Sequence, residues 1–352
     1  MDYSIRKTEE SRNIFSLNNL DDESKPWSIR LKPKPDELLT SWIIRLAWAH
    51  GIKLHVFCRL IWGSQTEIWT RDFDRLADSV YVEYLSQKTA TPLTQANQTL
   101  LRSFEGVVFE KHNPYGNTHW IMPLGIRHRI RMAYGQQYCP LCLEESPYLK
   151  KTWRMAFSTV CSKHQILLFD RCPQCQFPIH FHRIDMGNRH RLASLDLHYC
   201  YRCKCDLRRP ANTRPKSLLE VMSIQNQFEN FILTKKASVG PHANIHSLEY
   251  FNGIRQLLRL LLGIRNSDNF QKEIARLTNT PFIPIKKSHS NRIIEVKSVE
   301  ERFNGILTLS RLLQDWPKTF LKACQMSSIY KCHLTQDCPN PPTWYSSILD
   351  RI

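Results

Sequence analysis

Eight residues in the middle third of the chain are the ones best suited to chemistry: Cys139, Cys142, Cys161 and His164, then Cys172, Cys175, Cys200 and Cys203. They are arranged as YCPLC, eighteen residues and CSKH, then as CPQC, twenty-four residues and CYRC. In a C-x2-C pair the chain makes a tight knuckle whose amides donate to the thiolates, so each pair supplies two of four tetrahedral ligands. Four such half-sites within about 65 residues make a strong metal signal. Each set offers four protein ligands and no open position, which predicts two structural Zn2+ sites, each contributing about 10 kcal/mol or more to folding. Cys205 competes with Cys203 for the last position; Cys203 is favoured because it completes the C-x2-C knuckle. Interleaved pairing of the half-sites is the alternative to sequential pairing, and the short link from His164 to Cys172 makes the sequential form simpler. His180 and His182 read as a strand pair, and Cys58 as a small buried hydrophobe. Cys324, Cys332, His333 and Cys338 lack the knuckle spacing.

The elements that must hold these ligands follow from patterning. Residues 1–35 form a polar lead-in that ends in the stiff, extended Lys32-Pro33-Lys34-Pro35. Asp36 is placed to cap a helix whose apolar face is Leu38, Leu39, Trp42, Ile43, Leu46 and Ala47, with Gly51 ending it. A second helical run stops at Gly63. Two helices joined by a Gly turn outline a helix-turn-helix whose second helix carries Lys53, His55 and Arg59. Short helices are expected near 66–86 and 93–105. Beyond Arg209 the pattern predicts an all-helical part, with runs near 216–235, 246–264, 268–278 and 299–325, the last broken at Trp316-Pro317. The fold class is therefore mainly α with small zinc-ribbon or zinc-finger β elements. Its expected divisions are a lead-in (1–35), an N-terminal helix-turn-helix or helical domain (36–135), a tandem zinc-finger domain (136–210) and a C-terminal helical domain (211–352).

Charge narrows the partner. The 352 residues carry a net charge of +17, with an isoelectric point near 9.4, and a chain this basic is drawn to polyanions, nucleic acid first. Lys53, His55 and Arg59 are candidate base readers, and Arg127, Arg129, Arg131, Arg189, Arg191, Arg208 and Arg209 candidate phosphate contacts. No apolar run of 18 residues, lipidation motif or secretory signal is read, so a cytoplasmic protein is expected, in which twelve cysteines favour metal over disulfides. No Walker A, H-E-x-x-H or G-x-S-x-G motif suggests an active site, and an enzyme is not expected. A metal-dependent nuclease built on dispersed carboxylates is the weaker alternative.

Three stretches resemble the TniQ/TnsD family of transposon target-selection proteins: PDELLTSWIIRLAWAHG; QYCPLCLEES with KKTWRMAFSTVCSKHQILLFDRCPQC; and CYRCKCDL, followed downstream by RFNGILTLSRLLQDWPKTF. Lys204 stands where the family pattern has Gly. The resemblance implies a non-catalytic adaptor that binds target DNA, or an RNA-guided CRISPR effector of the Cascade type with its guide RNA. It also implies recruitment of the transposon's AAA+ ATPase, of the TnsC type, and allows a homodimer. The alternative within the family is a sequence-specific site selector of the TnsD kind that acts without a guide.

Overall fold

In the computed structural model, which describes residues 25–63, 71–127, 130–184, 197–209, 214–263, 268–282, 294–336 and 338–352, the apolar run after Pro35 forms two helices. They are α1 (Leu39–Ala49) and α2 (Leu54–Trp62), joined through Gly51 at φ +69°. The capping expectation fails. Asp36 lies at φ +57° and its carboxylate accepts from the amide and hydroxyl of Thr152, while Leu38 occupies the cap position with no side-chain bond. The orphan amides at the start of α1 are satisfied from a distance: Leu39 N–H by Thr99 O, and Thr40 N–H by the buried carboxylate of Asp74. Three short helices follow, α3 (Phe73–Leu76), α4 (Ser79–Thr89) and α5 (Leu93–Asn97).

The middle of the chain is built from small pieces. Strands β1 (Ile126–Arg127) and β2 (Ile130–Arg131) pair antiparallel; α6 (Pro140–Glu145) starts on Cys139; β3 (Val160–Cys161) pairs with β4 (Ile166–Leu167). His180 caps a 3-10 turn at Phe181–Arg183 and His182 lies within it, so they are not a strand pair. His180 Nε2 accepts from Arg131 N–H at 2.8 Å, and that bond replaces a strand ladder.

The C-terminal part corrects the all-helical expectation. Between α7 (Leu218–Thr234) and α8 (Ser247–Leu262) lies a hairpin, β5 (Lys236–Val239) and β6 (His242–His246). It buries Ala237, Val239 and Ile245 and turns at Gly240, φ +52°. Helices α9 (Asp268–Thr278), α10 (Val299–Gln314) and α11 (Lys318–Ser327) complete the predicted runs, with the break at Pro317. Two short helices that patterning does not foresee, α12 (Lys331–Thr335) and α13 (Thr343–Leu349), close the chain. One cluster of buried apolar side chains includes Trp42 of α1, Phe157 beside β3 and Trp344 of α13.

Buried polar groups join the helices to the metal-binding region. Gln225 of α7 accepts from the amides of Thr159 and Val160 and donates to Val160 O. Arg302 of α10 donates to Ala156 O, Ser158 O and Gln137 Oε1. Among the described residues, no helix is long and apolar enough to cross a membrane.

Candidate metal centres and basic face

The first cluster comprises Cys139, Cys142, Cys161 and His164. Helix α6 supplies two thiols, with Cys139 as N-cap accepting from Cys142 N–H, Pro140 in the first turn, and Cys142 one turn on. The β3–β4 turn supplies Cys161 and His164. His164 Nδ1 lies 3.4, 3.3 and 3.5 Å from the sulfurs of Cys139, Cys142 and Cys161, and Cys142 Sγ is 3.6 Å from Cys161 Sγ. A tetrahedron with Zn–S about 2.3 Å and Zn–N about 2.0–2.1 Å has edges of about 3.5–3.8 Å, so these separations suit a central ion. They are far beyond the roughly 2.05 Å of a disulfide.

The second cluster comprises Cys172, Cys175, Cys200 and Cys203, with Cys172 Sγ 3.5 Å from Cys203 Sγ and Cys175 Sγ 3.7 Å from Cys200 Sγ. Half-sites pair sequentially. Cys205 turns its thiol to Asp206 O and stands outside the cluster. Among the described residues these two groups are the ones placed to hold a metal ion; Cys324 is buried in helix α11 while Cys332 is exposed, and the C-terminal cysteines form no such group.

Three of the four half-sites share one backbone device. The amide after the second ligand reaches back to the carbonyl of the first: Gln165 to Cys161 at 2.8 Å, Gln176 to Cys172 at 2.9 Å, Lys204 to Cys200 at 3.0 Å. All three residues sit in the left-handed region, at φ +54°, +56° and +60°. Lys204 thus adopts the conformation a glycine takes without strain, and its turn matches the other two.

The donor set itself asks for a cation. Hydrogen bonds with Cys142 and Cys161 push the Cys139 thiol up, those with Cys139 and Cys142 hold Cys161 down, and burial pushes Cys200 up to about 11. Thiols packed this closely share protons, and a divalent ion supplies the charge that lets all of them ionise. With Zn2+ the first set, three thiolates and an imidazole, would carry a formal charge of about −1. The second, with four thiolates, would carry about −2, since each thiolate contributes one negative charge.

Among the described residues, the candidate nucleic-acid contacts differ in exposure and in their partners. On α2, His55 and Arg59 are exposed beside Val56 and Leu60, while Lys53 is half-buried at the cap. Arg127 and Arg209 are exposed. Arg131 is not available as a phosphate contact: it is 6% exposed, and its guanidinium donates to Ile179 O at 2.8 Å. Arg208 is half-buried and paired with Asp206 at 2.7 Å, a bond that holds the Asp206 carboxyl down to about 2. Arg129, Arg189 and Arg191 lie outside the described residues.

Sequence reasoning passes over the cations that ring the second cluster. Arg202 lies over the ring of Phe177 at 5.0 Å, Arg183 and Lys204 over Tyr201 at 5.3 and 5.4 Å, and Arg171 over Tyr134 at 3.8 Å. Arg202 and Lys204 are exposed. Their signal is present in CYRCK, where basic and aromatic residues alternate with ligands, but a ligand motif draws attention to its cysteines. A cleft of about 560 Å³ opens beside the first cluster, between segment 33–37, turn 150–153 and α7, and is lined by Lys150, Trp153, Cys161 and Glu229.

Residues 28–168 match the family model TniQ, a stretch that takes in α1, α2 and all four residues of the first cluster. No curated protein matches the chain.

Proposed function

We propose a specific role from the premise that this chain belongs to the TniQ family, whose members serve target selection in transposition. The protein is a target-selection adaptor: it holds nucleic acid at the target and brings the transposon's AAA+ ATPase to it, without catalysing a reaction itself. The clusters bind Zn2+ and act as rigid mounts, since all positions of each tetrahedron are taken by protein.

The observation that carries this reading is the placement of exposed cations on those mounts. Arg202 and Lys204 project from the second knuckle, with Arg209 further along the same segment and Arg127 on the β1–β2 hairpin. Part of this charge offsets the roughly −2 of a zinc ion held by four thiolates. The remainder suits phosphates. With cations already resting on Phe177 and Tyr201, these rings are covered on that side, so the surface favours backbone contact over base stacking. Any reading of sequence falls to α2 as the second helix of a helix-turn-helix, where His55 and Arg59 meet polar base edges and Val56 and Leu60 suit thymine methyls.

The same helix face supports a second reading. Two exposed aliphatic residues beside a His and an Arg also suit a protein surface, as in docking to an RNA-guided effector. Titrating zinc-loaded protein into labelled DNA near physiological salt separates the two. A direct site selector binds the transposon's insertion region at least about 1000-fold more tightly than a scrambled duplex. Equal and weak binding assigns specificity to a guided partner. Absence of DNA binding at low salt would remove the nucleic-acid role altogether.

A further inference from the structure

Helix α6 contributes more to the first cluster than its two thiols. Counting in threes from its cap, Cys139 and Cys142 are followed by Glu145, so the helix presents two ligands and then a carboxylate along the same side. His164 turns Nδ1 towards the three sulfurs, and its other ring nitrogen, Nε2, lies 3.0 Å from Glu145 Oε1. The second carboxylate oxygen is held by the ammonium of Lys163. A metal-ligating imidazole must keep its lone pair on the coordinating nitrogen and its proton on the other. A carboxylate accepting that proton fixes the tautomer and the ring plane, and makes the ligand more basic.

We infer that Glu145 is a positioning residue of the first metal centre, holding His164 as the Nε2–H tautomer, and that Lys163 steadies Glu145 without touching the centre. Assigning this role goes beyond target selection and rests on the reading of the cluster as a zinc site, which the zinc content of the unaltered protein tests separately. The competing account is an exposed Lys163–Glu145 ion pair of little consequence, since both side chains are about half exposed.

The two accounts differ in what each substitution does, and the second cluster serves as an internal control. Full-length protein carrying zinc at both sites is challenged with a chelator, and zinc release is followed with a metal indicator. Glu145→Ala is expected to weaken the first site about 10–100-fold and leave the second unchanged. Glu145→Gln, which keeps a carbonyl acceptor and the fold, is expected to fall between, and Lys163→Ala to lie close to the unaltered protein. In the zinc-loaded protein coordination itself keeps His164 as the Nε2–H tautomer, so long-range 1H–15N spectra read how fast that proton exchanges with water, expected to be slow in the unaltered protein, intermediate in Glu145→Gln and fast in Glu145→Ala. Unchanged zinc release in both Glu145 variants, equal weakening of both sites, or unchanged exchange of the His164 Nε2 proton in Glu145→Ala would each overturn the assignment.

Discussion

Single residues in the metal-binding region hold conformations and protonation states that local structure alone would not favour. Lys204 is held at φ +60°, where a residue with a Cβ costs about 1–2 kcal/mol, against a smaller entropic cost for glycine. Lys204→Gly is therefore expected to raise stability by about 0.5–1 kcal/mol in urea unfolding of the zinc-loaded protein. It should at the same time weaken binding to any DNA sequence, because it removes an exposed cation. His180 makes stability depend on pH through a proton it refuses. Burial, then the nearby Arg131 guanidinium, holds it down to about 3, and its Nε2 accepts from Arg131 N–H, so the folded protein keeps it neutral. Between about pH 6.5 and 3 the unfolded chain binds the proton that the folded chain does not. Stability is then fully present above the unfolded pKa and falls as pH drops through this window, by up to about 1.4 kcal/mol per unit from this residue. Thermal melts of His180→Gln should show a shallower loss between about pH 6.5 and 5.5 than the unaltered protein; parallel curves would show that His180 takes no part. Neither Lys204 as a left-handed residue nor His180 as an acceptor is legible in the sequence, because each depends on a backbone partner that spacing does not reveal.

Among the elements, long periodic helices are legible in the sequence and short or borrowed structure is not. α1, α2, α7, α8, α9 and α10 form near their expected places because apolar residues recur at helical spacing and Gly51, Gly63 and Pro317 mark the stops. The β5–β6 hairpin escapes the pattern because Ala237, Val239 and Ile245 make too brief an alternation beside two strong helices. The start of α1 is misread because its amides are satisfied by Thr99 and Asp74, far along the chain. The metal knuckles are legible because four ligands must converge whatever surrounds them. Helix α8 offers a test of how packing overrides propensity. Ala is better than Gly within a helix by about 1 kcal/mol, yet a Cβ on Gly253 would stand 2.1 Å from Trp344 Cζ2. That ring is fully buried against Tyr250 and Trp316 and has little room to yield. Gly253→Ala is expected to lower stability by about 1–2 kcal/mol net, read as a lower urea midpoint at unchanged slope, with the clash exceeding the propensity gain.

For the molecule as a whole, the question is whether the metal region and the C-terminal helices fold as one unit. Their junction is polar and buried, which makes it specific and costly to break. The Arg302 guanidinium, 1% exposed and pulled down to about 10 by burial, remains charged at neutral pH and directs its donors to Ala156 O, Ser158 O and Gln137 Oε1. Gln225 clamps Thr159 and Val160, the residues leading into Cys161. Strand β3 is therefore held from one side by a metal ligand and from the other by α7. Removing zinc should release β3 and, through it, loosen α7 and α10, so that amide exchange accelerates in the helices as well as in the knuckles. Arg302→Ala orphans the acceptors it served and is expected to cost about 3–5 kcal/mol. It should also uncouple the two regions: chelation would then speed exchange in the knuckles while adding little to that in α10. If chelation leaves helix protection untouched in the unaltered protein, the junction transmits nothing and the helices stand on their own core.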